Sequence, residues 1–258
     1  MKIIDFHTHP GYNTTQKWGY DMTDSLFVEE LRRSSIAMAA GSYLDMNLIK
    51  SSNSYDELIK RLNSNSWQFF CNHSDFFVPG IHIHPDYVKE SCEQIEFYAK
   101  KGVVLVGELV PYLMGCDWNS EVYTTKGFME LFDLCNQFYL TVSVHTSTPA
   151  ECEHIAKTFK NLNLVMAHPA YGDEYFARLD VVKKYDNLFL DLSGTGIASY
   201  GMLRYGVDIV GKEKIVFGTD FPIYNPEMYV RTVFYEKMSY DELEHILFKN
   251  ATKLLKLE

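Results

Sequence analysis

The sequence predicts a parallel α/β fold, and three observations carry that prediction. Eight short apolar runs recur along the chain, and amphipathic helix-like segments separate them. The length, 258 residues, suits one domain with a large core.

The runs are Ile3–Phe6, Ile36–Tyr43, Phe76–Ile83 and Val103–Val110, then Leu140–Val144, Leu164–Ala167, Leu188–Leu192 and Ile215–Gly218. Most are almost continuously apolar, as parallel strands covered on both faces are. The first helix-like segment, Ser25–Arg33, sets Leu26, Phe27 and Leu31 on one side. Lys89–Lys101 ends at Gly102, a suitable C-cap before the next strand. Phe128–Phe138, Pro149–Phe159, Glu174–Lys184 and Met202–Val210 follow, with Pro149 suited to a first helical position. The tail Tyr240–Leu257 reads as one more amphipathic helix, with Leu243, Ile246, Leu247 and Leu254 at helical spacing. Strand–helix alternation repeated in this way builds a parallel sheet. No linker, repeat or low-complexity tract interrupts it, so residues 1–258 are expected to form a single domain with a C-terminal helix. A closed barrel and an open doubly wound sheet both satisfy the pattern; the placement of polar residues decides between them.

Composition excludes several classes of function. Hydrophobic residues make up 47%, against disorder, and the formal charge of −10 lacks the basic stripe of a nucleic-acid surface. No apolar run is long enough to span a membrane, and MKIIDFHTH lacks the long apolar stretch expected of a signal peptide. The five cysteines, Cys71, Cys92, Cys116, Cys135 and Cys152, form no CxxC and read as reduced thiols, so a cytoplasmic location is expected. Whether the chain is a homo-oligomer is left open.

The chemistry lies where the runs end. Run 1 ends in Asp5-Phe6-His7-Thr8-His9, run 4 in Gly107-Glu108, run 5 in Ser143-Val144-His145, run 6 in Met166-Ala167-His168 and run 8 in Gly218-Thr219-Asp220. In a (β/α)8 barrel the functional face is at the C-terminal ends of the strands. His7 and His9 are two apart, so on a strand both side chains share a face. Each feature alone has a plain explanation: an incidental HxH, a hydrogen-bonded core histidine, an Asp that caps the next helix. Together they form a set of imidazoles and one carboxylate delivered to a common rim. Such donors suit Zn2+, with Fe2+, Mn2+, Co2+ and Ni2+ not excluded.

The segments DFHTH, VSVHTS, VMAHP and VFGTDFP resemble the amidohydrolase superfamily, in its amidohydrolase-related branch. The resemblance runs from Ile3 past Asp220 and implies a TIM barrel of the metal-dependent hydrolase type, holding one or two divalent ions. By that resemblance His7, His9 and His145 are metal ligands. His168 is the strand-6 histidine, binding a second metal or hydrogen-bonding the nucleophile, and Asp220 is the strand-8 aspartate and general base. Two-metal members of the family carry a carbamylated lysine or a glutamate on strand 4, and Glu108 in VGELVPY resembles the glutamate variant. The alternative role for Glu108 is to orient a ligand imidazole. The chain departs from the family after His168, where Pro169-Ala170-Tyr171-Gly172 replaces a frequent glycine pair.

The implied reaction is hydrolysis of a small amide, ester or lactone by a metal-activated water, with Asp220 moving the proton. The rival within the branch is a metal-dependent decarboxylase of aromatic or unsaturated acids. A rival of another class is a non-catalytic metal-binding protein on the same fold. A second HxH, His82-Ile83-His84, ends run 3, and His84 is read as contacting substrate or orienting a ligand rather than as a primary ligand. The loops after runs 1 and 4 carry Tyr12, Trp18, Tyr20, Tyr112, Met114, Trp118 and Tyr123, and Tyr224 follows run 8. Of these, Trp18, Tyr112 and Tyr224 are expected to line a pocket for a small, partly apolar molecule. All six arginines fall in helix-like segments, which weighs against a polyanionic substrate; Lys17 and Lys126 stand as exceptions.

Overall fold

The structure is a computed structural model that describes residues 1–13, 21–116, 121–145, 148–194 and 197–257. Eight parallel strands pair in chain order: β1 (Ile4–Thr8), β2 (Met38–Ser42), β3 (Phe77–Ile81), β4 (Leu105–Leu109), β5 (Thr141–Val144), β6 (Asn163–Met166), β7 (Leu188–Asp191) and β8 (Ile215–Val216). All eight apolar runs are therefore strands.

The sheet curls until its edges meet. Phe6 donates its N–H to Phe217 O (2.9 Å), Asp220 to His7 O (2.8 Å) and His9 to Phe221 O (2.8 Å). A parallel bridge joins Thr8 to Phe221. The result is a nearly closed TIM barrel, not an open sheet. Closure has a chemical consequence: it sets His7 of β1 and His9 just beyond it beside the aspartate that follows β8.

Helices α1 (Asp24–Arg33), α2 (Met46–Ser51), α3 (Tyr55–Asn72), α4 (Val88–Ala99), α5 (Lys126–Gln137), α6 (Pro149–Thr158), α7 (Gly172–Val182), α8 (Met202–Val210) and α9 (Pro226–Tyr235) follow the strands. Pro149 is at the start of α6, where Thr148 and Glu151 form a capping box. The sequence reading gave no bounds for three helices, α2, α3 and α9. The longest, α3, is hidden by its own buried face, which includes Asn63 and Ser66 among Leu58, Ile59, Leu62 and Phe69. These polar residues break the apolar stripe because they hold backbone: Asn63 accepts from His82 N (2.7 Å) and donates to His82 O (3.0 Å), and Ser66 donates to Gly80 O (2.9 Å). A buried amide satisfied at both ends pins the end of β3.

The expected single C-terminal helix is instead α10 (Tyr240–Glu244), a π-helical turn (His245–Lys249) and α11 (Asn250–Leu254). Ile246 O accepts from Phe217 N (3.0 Å), just beyond β8. Asn250 donates to Lys212 O (2.7 Å) and Ile215 O (2.6 Å). Ala251, Leu254 and Leu255 pack in one buried cluster with Ile4, Phe6, Leu105, Val165, Phe189 and Val216. The tail thus anchors the strands that carry the polar ends.

Candidate metal centre

The barrel brings His7, His9, Glu108, His145, His168 and Asp220 together in two adjoining groups. In the first, His7 Nε2 and His9 Nε2 are 3.1 Å apart, and Asp220 Oδ1 is 3.7 and 3.3 Å from them. In the second, Glu108 Oε1 is 2.7 Å from His145 Nδ1 and 3.2 Å from His168 Nε2, and these two nitrogens are 3.0 Å apart. Glu108 joins the groups, because its other oxygen, Oε2, is 3.3 Å from His7 Nε2 and 3.2 Å from His9 Nε2.

The hydrogen bonds on the far sides of the rings decide what faces inward. His9 Nδ1 is 3.1 Å from Ser42 O, a carbonyl that only accepts, so Nδ1 carries the hydrogen. His7 Nδ1 is 2.7 Å from the Asp191 carboxylate, which imposes the same tautomer. In the neutral rings both Nε2 atoms then present lone pairs to Asp220 and Glu108. Two imidazole lone pairs and two carboxylate oxygens converge with no hydrogen among them. Asp220 Oδ1 is buried and has no hydrogen-bond partner among the described residues. Such a cluster of acceptors is repulsive unless a cation lies in it. Donor atoms about 2.1 Å from a tetrahedral cation stand about 3.4 Å from one another, and the edges of the first group bracket that spacing. The residues present fit a divalent metal.

The electrostatics agree. Burial disfavours charge on His9, yet the Asp220 and Glu108 carboxylates outweigh it and push the imidazole up to about 9. His7 is raised well above its ordinary value in the same way, with Glu108 and Asp191 outweighing burial. Burial would lift Glu108, but His145 and His7 hold it well below the usual carboxylate range. Without a metal, this pocket takes up protons in its place.

The backbone at the site is unusual where the chemistry is. His168 (φ 62°) and Asp220 (φ 63°) both occupy the left-handed region without being glycine. Such conformations cost about 1–3 kcal/mol and persist only when the surroundings over-determine them. For His168 the surroundings are visible: its N–H donates to Asp191 Oδ1 (3.1 Å), and the fully buried Arg178 donates to Ala167 O (3.3 Å).

Above the groups is a cavity of about 220 Å³, floored by His9, Glu108, His145 and Asp220 and walled by Tyr12, Leu44, Met46, Val110, Tyr112, Leu113 and Ile223. The expected contact Tyr112 is here, its ring centroid 5.5 Å from that of His145. No lysine or arginine lines it among the described residues. All six arginines are in helices, as expected. A larger cavity of about 670 Å³ lies against Met22, Arg33 and residues 221–227 and contains none of the histidines. The chemistry assigns the site to the smaller one.

The remaining expectations fall differently. Tyr224 lines the larger cavity. His84 is buried, donates from Nε2 to Met114 O (2.8 Å), accepts at Nδ1 from Asp86 N (3.1 Å) and stacks on Tyr55. Both nitrogens are engaged within the protein, and the ring is not among the residues lining the 220 Å³ cavity. His82 donates to Tyr43 O (3.0 Å). Trp18 lies outside the described residues, as do Lys17, Tyr20 and Trp118. The sequence reading missed Asp191 and Ser193. Ser193 Oγ donates to Asp191 Oδ1 (2.5 Å) and lies 2.9 Å from His7 Nδ1 and 3.0 Å from His168 Nδ1. Their signal was available, since they stand at the end of run 7 as the histidines do at the others.

Fold and site together define a (β/α)8 barrel with a histidine–carboxylate centre at its strand ends. The chain belongs to the amidohydrolase family, which it matches over residues 4–257. No curated relative matches it at the level of sequence. Among solved structures it is similar to 5-carboxyvanillate decarboxylase from Sphingomonas paucimobilis, with 11% identity over 100% of this chain and 99% of that one and a TM-score of 0.78. It is similar to 2,6-dihydroxybenzoate decarboxylase from Rhizobium, with 13% identity, 100% and 99% coverage and a TM-score of 0.77. A dihydroxybenzoic acid decarboxylase from Polaromonas, solved with manganese and 2-nitroresorcinol, matches at 14% identity, 99% and 97% coverage and a TM-score of 0.75. Identities this low speak for the fold alone. The chain is an enzyme of the amidohydrolase superfamily.

Proposed function

We propose that the protein is a two-metal hydrolase of a small, uncharged, partly aromatic amide, ester or lactone. The observation that carries this reading is the position of Glu108, with Oε2 against His7 and His9 and Oε1 against His145 and His168. One carboxylate shared by two donor groups is what a pair of cations requires. His7, His9 and Asp220 would hold one ion, His145 and His168 the other, and Glu108 both. Imidazole and carboxylate donors suit Zn2+ and accept Mn2+. A bound divalent ion lowers the pKa of water toward about 7 and polarises a carbonyl oxygen. Asp220, on the floor of the cavity, would take the proton from the attacking water and pass it to the leaving group. Tyr12, Tyr112, Leu44 and Met46 receive the apolar part of the substrate and keep bulk water from it. The absence of cationic side chains from the described wall favours a substrate without a second anionic group.

A second reading, decarboxylation of an aromatic acid, is favoured by the activities named for the similar structures. The test is turnover of an ester, lactone and amide panel in H2 18O by the metal-reconstituted enzyme, beside a panel of hydroxybenzoates. Incorporation of 18O into the carboxylate product supports hydrolysis. CO2 release without it gives the site to the lyase.

A further inference from the structure

We infer that Ser193 and Asp191 form a single tautomer lock that sets both halves of the metal centre at once. The inference rests on the two-metal reading above and goes beyond it, because neither residue is among the proposed ligands.

Asp191 ends β7 and is fully buried, as is Ser193 two residues on. Asp191 Oδ1 accepts from Ser193 Oγ (2.5 Å), Ser193 N (2.9 Å) and His168 N (3.1 Å); its Oδ2 faces His7 Nδ1 at 2.7 Å. A serine hydroxyl has one hydrogen, and here it goes to Asp191. Ser193 Oγ is left only with lone pairs, which point at His7 Nδ1 (2.9 Å) and His168 Nδ1 (3.0 Å). Both rings must therefore carry their hydrogen on Nδ1 and turn a bare Nε2 inward. His7 Nε2 belongs to the first group and His168 Nε2 to the second. The carboxylate and the hydroxyl it holds thus prepare a ligand for each ion, Asp191 and Ser193 at His7 and Ser193 at His168.

The alternative tautomer is a real competitor. With its hydrogen on Nε2, His168 would donate to Glu108 Oε1, 3.2 Å away, and the second group would close on itself. The loop is shaped to prevent this. Gly194 has φ 67°, and a Cβ there would strike the His168 ring, so only glycine lets Ser193 sit against both imidazoles.

The test uses Zn2+ and full-length Ser193→Ala and Asp191→Asn proteins, with chelator competition measuring the affinity of each equivalent. Ser193→Ala is expected to weaken the equivalent held by His168 by about 10- to 100-fold and the one held by His7 less, because Asp191 Oδ2 still accepts from His7 Nδ1. Asp191→Asn, whose amide N–H would face His7 Nδ1, is expected to lose the equivalent held by His7 and keep the other within about tenfold. Unchanged affinity of the His168 equivalent in Ser193→Ala overturns the lock; so does wild-type binding of both equivalents in Asp191→Asn. If the wild-type protein binds fewer than two ions, the two-metal reading fails instead, and the lock is judged without metal. For that, 15N-histidine spectra at alkaline pH should show Nδ1–H for His7 and His168 in the wild type and a tautomer mixture at His168 in Ser193→Ala. Identical spectra overturn it.

Discussion

Replacing Glu108 with Gln is the most informative single change. Gln keeps the shape and removes one negative charge from among four imidazoles at 2.7–3.3 Å. At an effective dielectric near 20 and a separation of about 3 Å, a unit charge pair is worth about 5 kcal/mol, and deleting one partner of a buried pair costs about 3–5 kcal/mol. A loss of about 4 kcal/mol lowers affinity by about 1,000-fold. The amide also retains only one oxygen, so whichever group meets its NH2 finds hydrogens where it needs a lone pair. The expected outcome is one bound ion where the wild type binds two, measured by elemental analysis after dialysis against a weak chelator and by calorimetric titration. Glu108→Gln binding two ions with affinities within tenfold of wild type would refute the claim that this carboxylate joins the groups.

Asp220→Asn should cut turnover by about 100- to 10,000-fold while far-ultraviolet dichroism and the melting transition show an intact fold; retained turnover removes Asp220 from the proton-transfer step. Metal uptake at pH 7 should release protons, since His9 is raised to about 9 and must lose its hydrogen to bind. Calorimetry in two buffers of different ionisation enthalpy reads this directly, and equal heats would argue against it. The same shift has a signature in the metal-free protein: stability from protonated His9 is full below 6.5 and lost as pH rises through about 9. Burial does the opposite to His82, lowering it from 6.5 to about 4. Folded His82 stays neutral while the unfolded chain takes up the proton first, so stability is full above 6.5 and lost as pH falls toward 4. The loss is at most about 3 kcal/mol, and a urea midpoint that stays flat over that window counts against a neutral buried His82.

The eight strands were legible because each is a short apolar run, and burial on both faces leaves little other choice. The candidate ligands were legible for a related reason: a barrel strand ends at the rim, so a polar residue closing an apolar run is delivered there. The same rule applied to the seventh run would have found Asp191 and Ser193. It fails for His84, which has the same HxH spacing as His7 and His9. Spacing sets the direction of a ring and says nothing about which distant backbone groups meet its nitrogens, here Met114 O and Asp86 N. The extent of helix α3 stayed hidden because Asn63 and Ser66 interrupt its apolar stripe, and their worth appears only with the β3 backbone they hold.

By itself, then, the sequence determined the eight strands, the parallel α/β class and the residue types at the rim, consequences of local periodicity and burial, while the barrel was implied by the strand-end motifs and the family they resemble. Tertiary structure decided which of those residues touch. It split them into two groups, put Glu108 between the groups, and fixed inward lone pairs through Ser42, Asp191 and Ser193. The physical reason is scale. Periodicity assigns a side chain to a face, whereas coordination and tautomer depend on contacts near 3 Å between segments as far apart as His7 and Ser193, which meet only when the barrel closes.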